Sequence, residues 1–177
     1  MRPHRIADAK IIHRLLFANI ITSLEAYLGD RFKRALFNNR HFIKDFVLKC
    51  GHFREQKISL SDVFKRAETL ETEVRTFVSA HNWHSLTISI EMYKQAFGVA
   101  LPEPSQAIRE GVRQRHDIVH RNGKSLDGTE GSWGLSEIRA LKEEVMAFAT
   151  EIEQLVRHLP VSGADEDKEV EIEHPPF

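Results

Sequence analysis

The segment from Gly111 to Ser125, GVRQRHDIVHRNGKS, gathers arginines, histidines and an aspartate into little more than two helical turns. An imidazole can take or give a proton near neutral pH, and a guanidinium can hold an anion whose charge grows during a reaction. Projected at 100° per residue from Ile108, the residues Ala107, Gly111, Val112, Ile118 and Val119 share a core-facing arc, and Arg115 falls inside it. Arg113, Asp117 and Arg121 fall on the solvent side, where Asp117 can pair with both arginines at i±4 as an ordinary charge ladder. His116 and His120 sit on the shoulder between the two faces. Three chemistries fit that shoulder. His120 can be a general acid or base beside an Arg115 anion clamp. His116 and His120 can grip one metal ion at i,i+4, although no third ligand is marked. Both can also be plain surface histidines, favoured near a helix C-terminus by its dipole.

An arginine on a core-facing arc is costly unless a carboxylate meets it. The other misplaced charge is Glu25, in ADAKIIHRLLFANIITSLEAYLG, whose apolar positions 11, 12, 15, 16, 20, 24, 27 and 28 cover most of a helical circumference. A helix apolar nearly all round is expected to be buried. Glu25 and Arg115 are therefore expected to face each other, either to fix the guanidinium for chemistry or as a structural pair alone.

The elements that must position these residues read as helices. RFKRALFNNRHFIKDFVLKCG suggests a second helix ending near Cys50–Gly51, and SLSDVFKRAETLETEVRTFVSA a third, with Ser59 or Ser61 as N-cap. The stretch HNWHSLTISIEMYKQAFG is ambiguous over 84–92. Leu86, Ile88, Ile90 and Met92 alternate as in a strand, Ile90, Tyr93 and Phe97 suit a helix, and the lack of a partner strand favours helix. The motif helix opens at Pro104–Ser105 and closes at Asn122–Gly123. A last helix begins at Ser136 and stops at Pro160. The expectation is an all-α, single-domain bundle of about five to six helices over residues 1–160.

The chain has 177 residues, 41% hydrophobic and 29% charged, an ordinary composition for one globular domain. No apolar run is read as approaching the ~18 residues that span a bilayer. MRPHRIADAK has no apolar core behind its charges, so no secretory signal is expected there. Cys50 stands alone, which excludes an internal disulfide and the multi-thiolate zinc modules, and makes a reducing cytoplasm the default. The segment 161–177 holds six acids and one lysine; without it the chain has 24 basic and 20 acidic side chains. This acidic tail is expected to be disordered, either solubilising the protein or shielding a basic site or docking a partner.

RHDIVH, Arg115 to His120, resembles the Arg-x4-His signature of HEPN-domain ribonucleases, in which Asn, His or Asp usually follows the arginine, as His116 does here. SLEAYLGD is similar to the first helix of that family with its acidic residue, and YKQAFG resembles a segment that precedes the motif helix in some branches. The likeness covers roughly residues 10 to 160. It implies a HEPN-like fold and a metal-independent, cofactor-free endoribonuclease acting as a homodimer, with two motifs meeting across the two-fold axis. Such enzymes drive the ribose 2′-hydroxyl onto the adjacent phosphate, leaving a 2′,3′-cyclic phosphate and a 5′-hydroxyl. On this resemblance His120 handles the 2′-hydroxyl proton and Arg115 steadies the phosphorane. His116 and Asp117 orient them, Glu25 anchors Arg115, and Arg113, Arg121, Asn122 and Lys124 hold the RNA. Asn122 stands where some members carry a modifiable tyrosine, so silencing by that route is not expected. The setting implied is a toxin–antitoxin or antiphage-defence effector in the cytoplasm, with an antitoxin or other regulatory protein as partner. A non-catalytic dimerisation or RNA-binding module is the alternative, and a metal-dependent hydrolase using His116 and His120 a further one.

Overall fold

The computed structural model describes residues 3–159. The acidic tail at 161–177, and the disorder expected of it, lie outside the described residues. Within them the chain forms seven α-helices and no strand: α1 Pro3–Phe37, α2 Arg40–Lys49, α3 Gly51–Arg54, α4 Val63–Ala80, α5 Leu86–Phe97, α6 Gln106–Arg121 and α7 Leu135–Arg157, with a 3-10 turn at Leu60–Asp62 ahead of α4. The all-α expectation is met, with seven helices in place of the expected five to six because the second predicted helix is divided at Asn38–Asn39 and Cys50. The ambiguous 84–92 stretch is helix from Leu86 onward.

At 35 residues, α1 is the axis of the bundle. It packs on α6 and α7 and also on α2 and α5. Around Phe32 of α1 an aromatic hub forms: Phe32 meets Phe46, Trp83, Tyr93 and Phe97 at centroid distances of 5.2–5.7 Å. The buried Tyr93 hydroxyl donates to the Leu28 carbonyl at 2.8 Å, so α5 is fixed to α1 by a satisfied polar group as well as by packing.

Three expectations about α1 are corrected. The sequence pattern ends the first helix at Gly29, but α1 runs through it to Phe37. The Trp83 ring lies against Gly29, where an added Cβ would come within 3.0 Å of it, so the glycine is a packing site and not a stop signal. The break falls at Asn38–Asn39 instead, where the Asn39 side chain accepts from the His41 amide and caps α2. Nor is α1 buried all round: Ile11, Ile12, Leu15 and Leu16 are exposed. Ala9–Phe37 moreover contains an 18-residue window of mean hydropathy 1.2, long and apolar enough to cross a bilayer by length and composition, contrary to the reading that no stretch reaches that size. Phe17, Ile21, Leu24 and Leu28 of the same helix are buried in the bundle.

Candidate functional site

Ser105 starts α6 by accepting from the Ile108 amide, and Asn122 ends it in the left-handed conformation at φ 54°, both where the sequence signals stand. Gly123 follows at φ +82°, and an added Cβ would meet Arg14 Cδ at 2.9 Å and the Trp133 ring at 3.0 Å. That close approach lets the chain reverse and fold back along α6. The return is closed by the amide of Gly131 on the carbonyl of Gly123 at 2.9 Å, and by a bridge between Lys124 and Glu130. Trp133 pins the loop, its indole N–H donating to Gln114 at 2.8 Å and its carbonyl accepting from His13 at 3.1 Å.

This reversal corrects the helical projection. Asp117, placed on the solvent side, is only 6% exposed. Ser125, Leu126 and Asp127 of the returning loop line a cleft over it. Arg121 donates to one carboxylate oxygen of Asp117 at 2.5 Å and Arg113 to the other at 3.3 Å, so the charge ladder exists, with its carboxylate covered and Arg113 still open to solvent. Val119, placed in the core, is exposed instead, on the same face as the exposed His116 and His120. Glu110 adds to the ladder: hydrogen bonds from Arg113 and then Gln114 hold its carboxyl down to about 2.

Arg115 does point inward, with a side chain 13% exposed, and its Nη2 lies 3.8 Å from Oε2 of Glu25. Its Nε approaches the Thr22 hydroxyl at 3.5 Å, a long contact. Glu25 is 2% exposed, so its carboxyl group is held inside the bundle where α1 faces α6. A third group, absent from the sequence reasoning, completes the cluster. His84 Nδ1 lies 2.5 Å from the same Oε2, and the His84 side chain is 52% exposed. Oε1 of Glu25 is buried with no hydrogen-bond partner among the described residues, and Glu25 lies at a cleft lined also by Thr22, Lys33, His81, Trp83 and His84. Burial pushes the His81 imidazole below its usual value, and Nε2 of His81 is likewise buried without a partner. The one sequence signal for His84 was its place just ahead of a helix of uncertain type; ten histidines in the chain gave no reason to single it out.

The remaining site residues are dispersed. The rings of His116 and His120 stand 4.5 Å apart, tilted, on the open face of α6. Among the described residues no three His, Cys, Asp or Glu side chains converge as a metal site, so the i,i+4 pair lacks a third protein ligand. Lys124 is exposed. The backbone carbonyl of Asn122 is taken by Arg14 at 2.5 Å, which ties the end of α6 to α1.

Compared with protein-family models, with curated proteins and with solved structures, the chain matches none.

Proposed function

We propose that this protein is a metal-independent endoribonuclease of the HEPN type, working as a homodimer with α6 at the two-fold axis. The observation that carries this reading is the division of labour on α6. Arg115 is drawn inward and fixed by a buried carboxylate on α1, while His120, five residues later, stays open to solvent. A guanidinium whose pose is set beforehand is what stabilisation of a phosphorane requires, because little reorganisation is left to the moment of reaction. An exposed imidazole one and a half turns away can take the 2′-hydroxyl proton of an RNA lying along the helix.

The dimer follows from geometry and surface. Arg115 and His120 are separated by about 140° around the helix and about 7.5 Å along it, so one α6 cannot easily aim both at one phosphate. A second copy across a two-fold axis supplies the complementary pair. The face that would meet it is apolar: Ile11, Ile12, Leu15 and Leu16 of α1 and Val119 of α6 are all exposed. Arg14 touches Asn122 and Thr22 touches Arg115, so this stretch of α1 runs beside the motif. Asp117 holds Arg113 and Arg121 along α6 through its two carboxylate oxygens, and with His116 it orients the Arg115–His120 pair. Lys124, with those arginines and Asn122, serves as a sequence-independent phosphate contact. A cytoplasmic toxin or antiphage effector held in check by a regulatory protein is the setting this activity fits.

Incubation of the purified protein with total RNA in excess chelator tests the reading. Fragments ending in 2′,3′-cyclic phosphate and 5′-hydroxyl are expected. Cleavage only after a divalent metal is added would point to a His116–His120 metal hydrolase. Dimerisation or RNA binding without cleavage would point to a non-catalytic module.

A further inference from the structure

Transesterification at phosphorus needs two proton transfers, one from the attacking 2′-hydroxyl and one to the departing 5′-oxygen. The ribonuclease reading, on which this inference rests, assigns the first to His120 and names no donor for the second, for which the second copy's His120, His116 and His84 compete. We propose that His84 is that donor, a second catalytic histidine oriented by Glu25.

The Nδ1 of His84 lies 2.5 Å from Glu25 Oε2, and in the proposed role that oxygen accepts the Nδ1 hydrogen. The proton that His84 exchanges is then the one on Nε2. The ring is half exposed while the carboxylate behind it is buried, so the imidazole is anchored at one end and open at the other. A buried carboxylate that sets the orientation of an accessible imidazole is the usual way a protein fixes which ring nitrogen does the chemistry. The same Oε2 also holds Arg115. His84 and the guanidinium assigned to the phosphorane are therefore neighbours, positioned by one atom from three separate segments: α1, the turn before α5, and α6.

His116 is the competing donor on α6 itself, and geometry disfavours it. Its ring is 4.5 Å from that of His120 on one helix, so the two approach a phosphate from the same side. In-line displacement puts the attacking and leaving oxygens on opposite sides of phosphorus. His84 enters from a different element. In the step, His120 takes the 2′-hydroxyl proton as the O2′–P bond forms. The P–O5′ bond breaks, and its electron pair accepts the proton from Nε2 of His84. His84 ends neutral and His120 protonated, and exchange with water resets both.

The test compares wild type, His84→Ala, His84→Gln and His120→Ala on two RNAs of one sequence. One carries an ordinary scissile phosphate and the other a bridging 5′-sulfur, a leaving group that needs no protonation. On the ordinary RNA, His84→Ala is expected to lose on the order of 10²–10⁴-fold in kcat, with KM nearly unchanged. On the 5′-sulfur RNA that deficit should vanish, whereas the His120→Ala deficit should persist on both. His84→Gln, which can still donate to Glu25, guards against a folding defect and should behave as His84→Ala does. Equal deficits on both RNAs, or wild-type rates on the ordinary one, would overturn the role of His84 while leaving the nuclease reading intact. If wild type cuts neither RNA, the nuclease reading falls and takes this role with it.

Discussion

Removing the charge of Glu25 while keeping its shape isolates what that carboxylate does for the two cation-forming groups around it. Glu25→Gln should lower cleavage on the order of tenfold or more, since even 1.4 kcal/mol of misplaced transition-state contact has that effect. It should also cost about 1–3 kcal/mol of stability in denaturant unfolding, because Arg115 then sits 13% exposed without its counter-charge. Wild-type behaviour in both measurements would show that the cluster is incidental. The Glu25–Arg115 contact was legible in the sequence because each charge sat on an apolar helical face, and two misplaced opposite charges have one inexpensive solution. His84 was not legible, because it precedes its helix and no periodicity describes a turn. Asp117 was misread for a similar reason: a helical projection assigns a face to solvent without knowing that a loop returns over it.

At the scale of elements, α1 is joined to α7 by a polar clasp as well as by packing. Arg31 Nε donates to Glu153 at 2.6 Å and the Tyr27 hydroxyl donates to the same oxygen at 3.2 Å. The Arg31 hydrogen bond holds the Glu153 carboxyl below its usual value of 4.5. A depressed carboxylate contributes stability that is present above its unfolded pKa and lost as pH falls through the folded one. Glu153→Gln should therefore be less stable than wild type at pH 7 by about 0.5–1 kcal/mol, a figure kept small because the side chain is a third exposed. That gap should persist down to about pH 5 and close in more acid solution. A gap that widened toward low pH would contradict the clasp. Helix identities were readable from period and caps, as Ser105 and Asn122 illustrate. The end of α1 was not, because Gly29 is tolerated only through Trp83, a contact more than fifty residues away in sequence.

For the whole molecule, the exposed apolar stripe of α1 beside the motif is the feature that a monomer does not explain. Leu15 is 59% exposed, so Leu15→Asp should leave the fold within about 0.5 kcal/mol of wild type. The same change should convert dimer to monomer in light scattering and abolish cleavage along with it. A variant that stays dimeric and active would place the interface elsewhere. The pattern of apolar residues led to the expectation that α1 is buried in its own chain; a single sequence does not distinguish a surface covered by the same bundle from one covered by a second copy. The most direct test of the central claim compares wild type with His120→Ala on one defined RNA in chelator, after circular dichroism and light scattering show the two equally folded and equally associated. The account predicts cyclic-phosphate products from wild type and none from the variant. Equal cleavage by both, or no cleavage by wild type, would contradict it.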